Sequence, residues 1–406
     1  MPRFDVVMTA RADRSFRTEQ VAGMFGLTVA AALRTQFSVV LPEEDEPWDI
    51  GLIAGPSGSG KTTVARRAYG SRVVEPAGWS KRRAIIDELP AETAVDAARV
   101  LTAVGFSSPP AWLRPFATLS TGEQFRCELA RALLRASRSA VGGERPIVVM
   151  DEFTSAVDRR VARACAAAVS KAIRQGHVGC RLVAVAPHDD VAAWLEADWM
   201  LDMATRALRR RRLRRPEIRI DVHACGREAW SVFAPHHYLS GDLAPAAECF
   251  LALWEGRPAA FCATLPLIAR RGRRRFTRIA TLPDCQGMGI GMRVAAAVAE
   301  HYRARGIRVN LTSGHPAVVS HCRRSPWWRA VGVKRYGSQT RRSAFPPHRS
   351  SAGRAVASFE YAGAQRVPAD APSAADGSAD PRGVPQNPEP CHGQPTGADF
   401  RNSVDL

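Results

Sequence analysis

The chain carries a glycine-rich segment whose residue types and spacing suit the binding of phosphate groups. Residues 55–63 read Gly-Pro-Ser-Gly-Ser-Gly-Lys-Thr-Thr and fit the pattern G-x-x-x-x-G-K-[ST] at every fixed position. Glycines in such a loop let the backbone curl, so that successive N–H groups point at one phosphate. Lys61 has the length to reach the β- and γ-phosphates, and the Thr62 hydroxyl is a ligand that Mg²⁺ accepts. The segment therefore predicts a site for a nucleoside triphosphate, formed by Gly55, Pro56, Ser57, Gly58, Ser59, Gly60, Lys61, Thr62 and Thr63.

Apolar runs around this segment predict the elements that must position it. Residues 50–54 have the profile of a short buried strand, and residues 62–69 have that of the helix that follows it. A second apolar run, at 147–150, ends in Asp151 and Glu152. This is the profile of a central parallel strand whose carboxyl end carries chemistry. These elements favour an α/β fold for the first half of the chain.

Three further segments of the first half have recognisable profiles. The segment Leu119-Ser-Thr-Gly-Glu-Gln predicts a Ser/Gly turn, and residues 125–134 predict an amphipathic helix after it. Residues 182–188 read as another buried strand, which ends in His188. Residues 37–41 read as a strand near the N-terminus.

Taken in order, these segments resemble an ABC-type ATPase domain, and the resemblance covers about residues 1–210. It implies that Asp151 and Thr62 hold Mg²⁺ and that Glu152 polarises the attacking water. It also implies that His188 contacts the γ-phosphate of ATP and that Phe37 stacks on the adenine.

The segment at 119–124 resembles the signature motif of this family, in a variant nearer to that of soluble ABC proteins. In the family, the signature of one subunit completes the phosphate site of another. Ser120 and Gly122 therefore imply an ATP-dependent homodimer. No glutamine follows a strand where the family's Q-loop should lie, which favours a soluble conformational change over coupling to a membrane partner.

The second half of the chain has a different pattern. Strands are predicted at 218–222, 258–265 and 273–282, a helix at 244–253 and a long alanine-rich helix from Met292 to Arg305. The turn before the long helix reads Gln-Gly-Met-Gly-Ile-Gly and matches the pattern [QR]-x-x-G-x-[GA]. Glycines at a helix start let backbone amides approach a pyrophosphate.

This half resembles the GNAT acetyltransferase superfamily over about residues 217–362. The resemblance implies that acetyl-CoA binds to the backbone of Ile279, Ala280 and Thr281 through its pantetheine arm. It also implies that the pyrophosphate lies against Gln286, Gly287, Met288, Gly289, Ile290 and Gly291. A dinucleotide-binding fold is the competing interpretation, but an acidic ribose-binding residue after a second strand is missing. The combination of both halves resembles a group of prokaryotic and phage fusion proteins.

Acyl transfer to an amine needs a base and a weak acid. His236, His237 and Tyr238 supply both types on one loop, although packing or turn capping would equally explain two of them. His315, His321 and Tyr336 are further candidates. Cys285 lies beside the phosphate-binding turn and is interpreted as incidental to the chemistry.

The charge of the chain favours an acidic partner. Its formal net charge is +18, and residues 206–215 contain seven arginines. Such a run could bind a phosphate backbone, and Arg323, Arg324, Trp327, Trp328 and Arg329 mix basic and aromatic side chains as single-strand binders do. A solvated linker and a tryptophan core explain the same residues, and only four lysines among 57 basic residues indicate codon bias.

The nine cysteines include no C-x-x-C pair, which argues against a disulfide framework and a zinc site. No run of 18 apolar residues occurs, so no membrane span is predicted and a cytoplasmic protein is expected. The predicted domains are an ABC-type P-loop NTPase at 1–205, an Arg-rich linker at 206–216, an α+β GNAT-like domain at 217–362 and a disordered tail at 363–406.

The sequence thus predicts an ATP-hydrolysing ATPase fused to an acetyl-CoA-dependent N-acyltransferase. Nucleic-acid bases, proteins and small amines are the acceptor classes that we consider. One alternative is a regulator that senses acetyl-CoA without transferring the acetyl group. The other is the ATPase subunit of a transporter.

Overall fold

The computed structural model of the chain describes residues 1–10, 15–26, 33–76, 78–140, 143–239, 241–267, 270–335, 355–363 and 400–406. The chain divides into two compact units. The first unit comprises Met1–Glu217 and Leu282–Gly289, and the second comprises Ile218–Thr281 and Ile290–Leu406. The sequence predicted a boundary near Glu217, but it did not predict that Leu282–Gly289 belongs to the first unit.

The first unit is built on a five-stranded mixed sheet. Its strand order is β4-β5-β3-β6-β7, in which β4, β5, β3 and β6 are parallel and β7 is antiparallel to β6. Strands β3 and β4 are buried at every residue, as their unbroken apolar sequences predict. The central position predicted for residues 147–150 is wrong, because β4 is the first strand in the sheet order. The five strands are β3 (Ile50–Ala54), β4 (Ile147–Met150), β5 (Arg181–Ala186), β6 (Trp199–Asp202) and β7 (Ala207–Arg210).

Helices connect the strands of this sheet. They are α2 (Lys61–Tyr69), α3 (Ile85–Glu88), α4 (Ala94–Ala103), α5 (Pro109–Trp112), α6 (Thr121–Ser139), α7 (Arg159–Arg174) and α8 (Ala192–Leu195). Helix α7 is mostly buried because alanines and other small apolar residues occupy its centre. Asp158 caps its N-terminus, where the side chain accepts hydrogen bonds from two backbone N–H groups.

A small antiparallel sheet packs against the first unit's core. It pairs β1 (Arg3–Ala10) with β2 (Leu33–Val40), and α1 (Phe16–Phe25) lies between them in the chain. Phe37 and Val39 of β2 join Ile53 and Val64 in one buried apolar cluster. The cluster fixes the small sheet beside the glycine-rich loop.

Part of the predicted arginine-rich linker at 206–216 is a strand, whereas residues 211–216 form neither helix nor strand. Residues 207–210 form β7, which pairs with β6 from Trp199↔Arg210 to Asp202↔Ala207. The prediction failed because an exposed edge strand needs few apolar residues, so its arginines resemble those of a solvated linker.

The second unit is built on an eight-stranded sheet in the order β13-β14-β12-β11-β10-β9-β8-β15. Its pairs are antiparallel except β11 with β12, which is parallel. The strands are β8 (Arg219–Cys225), β9 (Glu248–Trp254), β10 (Arg257–Pro266), β11 (Arg273–Thr281), β12 (Arg308–Ser313), β13 (Trp328–Lys334), β14 (Val356–Tyr361) and β15 (Arg401–Asp405). The helices are α9 (Trp230–Phe233), α10 (Ile290–Arg303) and α11 (Pro316–Arg324). These two units confirm the predicted fold class.

The helix predicted at 244–253 is wrong, because Glu248–Trp254 forms β9. Alanine and leucine favour a helix locally, but β9 pairs with β8 on one side and with β10 on the other. Two ladders of backbone hydrogen bonds and the burial of Phe250 between them outweigh the local preference.

The predicted disordered tail is corrected at its end. Residues 364–399 lie outside the described residues, but Arg401–Asp405 form β15 and pair with β8 from Arg401↔His223 to Asp405↔Arg219. Phe400 is buried against the rings of Phe250 and His301, with centroid distances of 5.3 and 4.2 Å.

Within the part of the chain that the structure describes, no helix combines the length and apolar character needed to cross a bilayer. Eight cysteines of the described residues are free thiols.

Candidate functional site

The glycine-rich loop follows a buried central strand of the first unit. β3 ends at Ala54 and α2 begins at Lys61, so residues 55–60 turn the chain at the sheet edge. Gly60 has a φ of 91°, and a Cβ there would lie 2.8 Å from Cζ of Phe37. Both facts require glycine at this position. The predicted strand, loop and helix are therefore present.

The loop and helix offer donors to a phosphate group. The first N–H groups of α2 have no acceptor within the helix, and its dipole favours an anion there. Lys61 is 7% exposed, and its Nζ donates to the Pro56 carbonyl at 2.9 Å, across the loop. Ser59 Oγ is buried and has no hydrogen-bond partner among the described residues. A cation, free amides and an unpaired hydroxyl suit a triphosphate.

The parallel sheet brings three other predicted residues to the edge that bears the loop. In the strand register, Ala54 of β3 lies opposite Ala186 of β5, and Met150 of β4 lies opposite Ala184. The carboxyl ends of these neighbouring strands therefore share one edge, which is where ligands bind in parallel sheets. Directly after these ends come Asp151, Glu152 and the exposed His188.

The turn after β4 has an unusual backbone. Glu152 has a φ of 50° and Thr154 a φ of 62°, although neither is a glycine. Left-handed conformations of such residues cost about 1–3 kcal/mol and occur at functional sites. A hydrogen bond of 2.8 Å from the Phe153 amide to the Val185 carbonyl holds the turn against β5. The turn leaves Glu152 exposed at the sheet edge.

The predicted metal ligands fit a metal that also binds phosphate. Among the described residues, no group of three or more His, Cys, Asp or Glu side chains could hold a metal ion by itself. Mg²⁺ is commonly held by one or two protein oxygens together with phosphates and water. Thr62, in the first turn of α2, and Asp151, after β4, are such a pair at the shared edge.

The placement of Phe37 does not support adenine stacking. Its ring is 5% exposed and belongs to the apolar cluster under the loop. The guanidinium of Arg206 lies over the ring, 4.9 Å from its centroid. An adenine could reach this face only by displacing Arg206.

The signature residues begin a long helix and line a cavity. Ser120 caps α6 in a capping box, in which its Oγ accepts from the Glu123 amide and Glu123 accepts from the Ser120 amide. A cavity of about 400 Å³ adjoins this turn. Its walls include Ser120, Gly122, Arg126, Asp158, Pro283 and Asp284, all of which belong to the first unit.

Arg126 is a residue of this cavity that sequence reasoning missed. Its side chain is 2% exposed, and its Nε has no hydrogen-bond partner in the described part of the chain. Burial lowers the pKa of its guanidinium. A buried cation at a cavity wall is suited to bind an anion. Its position in α6, on the same helix as the signature turn, was the available signal.

In the second unit, β11 and β12 separate soon after they pair. Their ladder has three pairs and ends at Arg275↔Asn310. Beyond this point β12 pairs with β14, and β11 continues to Thr281 along β10. The β12-facing edge of β11, including Ile279, Ala280 and Thr281, therefore lies outside that ladder. This placement agrees with the backbone role expected for these three residues.

Helix α10 starts close to the end of β11. A Cβ at Gly291 would lie 2.6 Å from Oγ1 of Thr281, so glycine permits this approach. Ile290, the first residue of α10, is 1% exposed.

The turn before α10 is placed differently from the expectation. Gln286 is 5% exposed, and its side chain accepts from the Ser107 amide at 2.6 Å and donates to Ser108 Oγ at 2.9 Å. A Cβ at Gly287 would lie 2.4 Å from Cβ of Ala168. Met288 is 2% exposed. The Gln286 side chain and Gly287 therefore pack within the first unit, and their contact with a pyrophosphate stays a prediction.

The three predicted proton-transfer residues differ in their surroundings. His237 Nδ1 accepts from the Leu239 amide at 3.0 Å, and its ring also hydrogen-bonds to the Ile279 backbone. Burial, together with the nearby Arg278, lowers the pKa of His237 to about 3. The ring is thus neutral and already hydrogen-bonded to the backbone of Leu239 and Ile279, which argues against its role as the base. Tyr238 is 37% exposed and His236 is half-buried.

Two of the further candidates lie at or within α11. His315 caps α11 through Nδ1, which accepts from the Ala317 amide at 3.3 Å, and His321 lies within α11. Tyr336 lies outside the described residues. The thiol of Cys285 is 0% exposed.

Some residues of the basic segments are engaged within the protein. Arg210 pairs with Glu46 at 2.7 Å and Arg212 pairs with Glu196 at 3.0 Å. Trp328 is 4% exposed and packs against Tyr361, as in a tryptophan core. The guanidinium of Arg293 lies over the ring of Trp327 at 5.0 Å.

Comparison with known proteins gives one family match. Residues 214–319 match the model of the acetyltransferase (GNAT) family. A search of curated proteins finds no match to the chain.

Solved structures similar to parts of the chain are of two kinds. The IAA acetyltransferase from Bacillus cereus ATCC 14579 has 13% identity and a TM-score of 0.27, over 35% of this chain and 98% of its own. An acetyltransferase from Bacillus subtilis, solved with CoA, has 13% identity and a TM-score of 0.27. The similarity covers 36% of this chain and 97% of that one. The bacterial ABC transporter cassette MJ0796, solved as a dimer, has 16% identity and a TM-score of 0.31, over 42% and 87%. The match to the acetyltransferase (GNAT) family model is confined to residues 214–319 of the chain.

Proposed function

We propose that the chain hydrolyses ATP in its first unit and transfers an acetyl group from acetyl-CoA to an amine in its second. The ATPase proposal is carried by the shared sheet edge, where the glycine-rich loop, Asp151, Glu152 and His188 follow neighbouring parallel strands. The transferase proposal is supported by the family match at 214–319 and by the separation of β11 from β12.

In the proposed ATPase site, Lys61 and the amides of the loop bind the phosphates. Thr62 and Asp151 hold Mg²⁺, which would neutralise charge on the β- and γ-phosphate oxygens when bound. Glu152 orients a water molecule and accepts its proton, and His188 binds the γ-phosphate. Ser120 and Gly122 of a second copy complete the site, so ATP joins two copies in a dimer.

In the proposed transferase site, bound acetyl-CoA would supply an acetyl group as a thioester. The backbone of Ile279–Thr281 holds its pantetheine arm. His236 accepts the proton that the amine loses, and Tyr238 donates a proton to the departing sulfur. His237 positions this turn through its hydrogen bonds to the Leu239 amide and the Ile279 backbone.

A second function, sensing of acetyl-CoA without transfer, is favoured by one observation. The side chain of Gln286, in the predicted pyrophosphate turn, is held by Ser107 and Ser108 of the first unit. Such a turn is suited to report cofactor binding to an ATPase.

The two functions are separated by incubating the purified chain with ATP, labelled acetyl-CoA and separate pools of DNA, tRNA, protein and polyamine. Phosphate release together with label in one pool is the expected result, and it also assigns the acceptor. Tight binding of acetyl-CoA with no label in any pool supports the sensor. Absence of both phosphate release and acetyl-CoA binding contradicts both functions.

The variant Gly289→Glu provides the matched control for acetyl transfer. Gly289 has a φ of 98°, and a carboxylate there would repel phosphates. We expect loss of labelling, while continued ATP hydrolysis by the same variant shows that it is folded.

A further inference from the structure

The segment Leu282–Gly289 joins β11 to α10 in the chain, but it packs as part of the first unit. Gln286 anchors it through both ends of its amide, to the Ser107 amide at 2.6 Å and to Ser108 Oγ at 2.9 Å. Gln286 and Ser108 are 5% and 2% exposed. We call this segment the docked turn.

Gly287 of the docked turn lies against Gly105, in another part of the first unit. A Cβ at Gly287 would lie 2.7 Å from Cα of Gly105, and a Cβ at Gly105 would lie 3.0 Å from the Gln286 carbonyl oxygen. Both glycines have positive φ, at 84° and 83°. The backbones therefore approach as closely as residues without side chains allow, which makes the docking specific.

The docked turn also lines the cavity at the signature residues. Pro283 and Asp284 are wall residues of this cavity, together with Ser120, Gly122 and Arg126. Asp284 forms a salt bridge of 3.2 Å with Arg160. Its negative charge also acts to raise the pKa of Arg126, against the larger lowering by burial. Asp284 is thus one of the acidic residues near these two cations: Glu123 also acts on the charge of Arg126, and Asp158 also lines the cavity. Of these three, Asp284 is the one that belongs to the docked turn.

A phosphate entering this cavity competes with Asp284. Both groups are negative, and both are attracted by Arg126 and Arg160, so the two anions repel each other in a partly buried space. Arg126 is 2% exposed with an unpaired Nε, so it gains a hydrogen bond from a phosphate that Asp284 does not provide.

We infer that the docked turn is a latch through which nucleotide phosphate at the signature cavity controls the binding of acyl-CoA to Gln286–Gly289, which belong to the first unit. Without phosphate, Asp284 holds the turn in the first unit and Gln286–Gly289 are engaged there. Phosphate from the nucleotide of a second copy displaces Asp284 and frees these residues for the pyrophosphate of acyl-CoA. The inference rests on the proposed function and adds its regulation.

Binding linkage gives the latch a quantitative consequence. If ATP strengthens acetyl-CoA binding by a given factor, acetyl-CoA strengthens ATP binding by the same factor. Couplings of this kind are typically about 5–150-fold.

The first test measures the docking itself and needs no acyl-CoA. Cys285 lies in the docked turn, is 0% exposed and has a pKa raised to about 12 by burial, so it reacts slowly while docked. Iodoacetamide labelling of the full chain is followed at the Cys285 peptide by mass spectrometry. We expect ATP with Mg²⁺ to increase its labelling several-fold in a Glu152→Gln background, and Asp284→Asn to increase it without ATP. Equal labelling in all of these samples overturns the latch.

The second test measures the dissociation constant of acetyl-CoA with and without ATP, again in Glu152→Gln. We expect ATP to lower the dissociation constant of acetyl-CoA at least about 5-fold. We expect Asp284→Asn to lower this constant in the absence of ATP and to reduce the further effect of ATP. Asp87→Asn, an exposed aspartate of α3, is the matched control and should retain the full effect. If acetyl-CoA and ATP both bind but do not affect each other, the latch is wrong and the proposed function stands. If neither binds, both are wrong.

Discussion

At the scale of single residues, the same amino-acid type takes different roles because of its surroundings. Glu152 is exposed on a strained turn at the sheet edge, where a carboxylate can reach a water molecule. His237 is tied by hydrogen bonds from its own turn and from β11, so its proton chemistry is suppressed. Arg126 is a buried cation without a partner for its Nε among the described residues. Burial and hydrogen bonding, rather than residue type, separate catalytic candidates from structural ones.

Replacing Glu152 tests the proposed ATPase chemistry. We expect Glu152→Gln to slow ATP hydrolysis by about 10²–10⁴-fold, because the amide cannot accept a proton from water. Nucleotide affinity, measured by fluorescence of a labelled ATP analogue, should change little. Glu19→Gln, at an exposed position of α1, is the control. Equal phosphate release by the Glu152→Gln variant and the wild type would remove Glu152 from the mechanism.

The lowered pKa of His237 predicts how stability depends on pH. The unfolded chain binds a proton at this residue near the ordinary pKa of 6.5, whereas the folded chain binds it only near 3. Between these values the unfolded state holds more protons, so the free energy of unfolding decreases as the pH falls.

Chemical denaturation between pH 4 and pH 7 measures this effect. We expect the free energy of unfolding of His237→Gln to decrease less steeply with falling pH than that of the wild type, because glutamine does not titrate. The difference in slope corresponds to at most one proton taken up on unfolding. Parallel curves for the two proteins would contradict the assignment.

At the scale of elements, pairing between segments that are distant in the chain decides whether a segment forms a helix or a strand. Glu248–Trp254 has residues that favour a helix, yet it forms a central strand between β8 and β10. Residues 401–405 cover the free edge of β8, and β7 covers the edge of β6 with an arginine-rich strand. Unpaired edges of sheets are open to wrong pairing, so both additions protect a strand that would otherwise be an edge.

The C-terminal strand should contribute measurably to the second unit. Phe400 is 7% exposed and packs against Phe250 and His301. We expect Phe400→Ala to reduce the free energy of unfolding by about 3 kcal/mol, because a large buried side chain leaves a cavity. The guanidinium chloride transition of the second unit measures this. Arg401→Ala removes an exposed side chain of the same strand and should have little effect; a similar loss in both variants would argue against the packing role of Phe400.

At the scale of the whole molecule, the proposed ATPase site includes Ser120 and Gly122 of a second copy. The net charge of +18 favours an acidic partner as well, although Arg210 and Arg212 are already paired with acidic side chains. Association and charge are therefore separate properties to measure.

ATP should convert the Glu152→Gln protein into a dimer. The variant binds ATP without hydrolysing it, so the composite phosphate sites stay filled. Size-exclusion chromatography with light scattering measures the change from one copy to two. Lys61→Ala, which lacks the phosphate-binding cation, should stay monomeric under the same conditions. If the Glu152→Gln protein carries bound ATP and still elutes as a monomer, the proposal is contradicted.

The sequence by itself determined the glycine-rich loop, its flanking strand and helix, and the order of the motifs after it. These depend on local spacing, since glycine positions and apolar runs set backbone shape over a few residues. Only the tertiary structure decided that Glu248–Trp254 is a strand, that Arg126 is buried and that the Gln286 side chain is held by Ser107 and Ser108. Each of these depends on contacts with segments far away in the chain. Residues 107 and 286 are joined through one hydrogen bond that no local pattern contains, because its energy is gained only when both segments are folded.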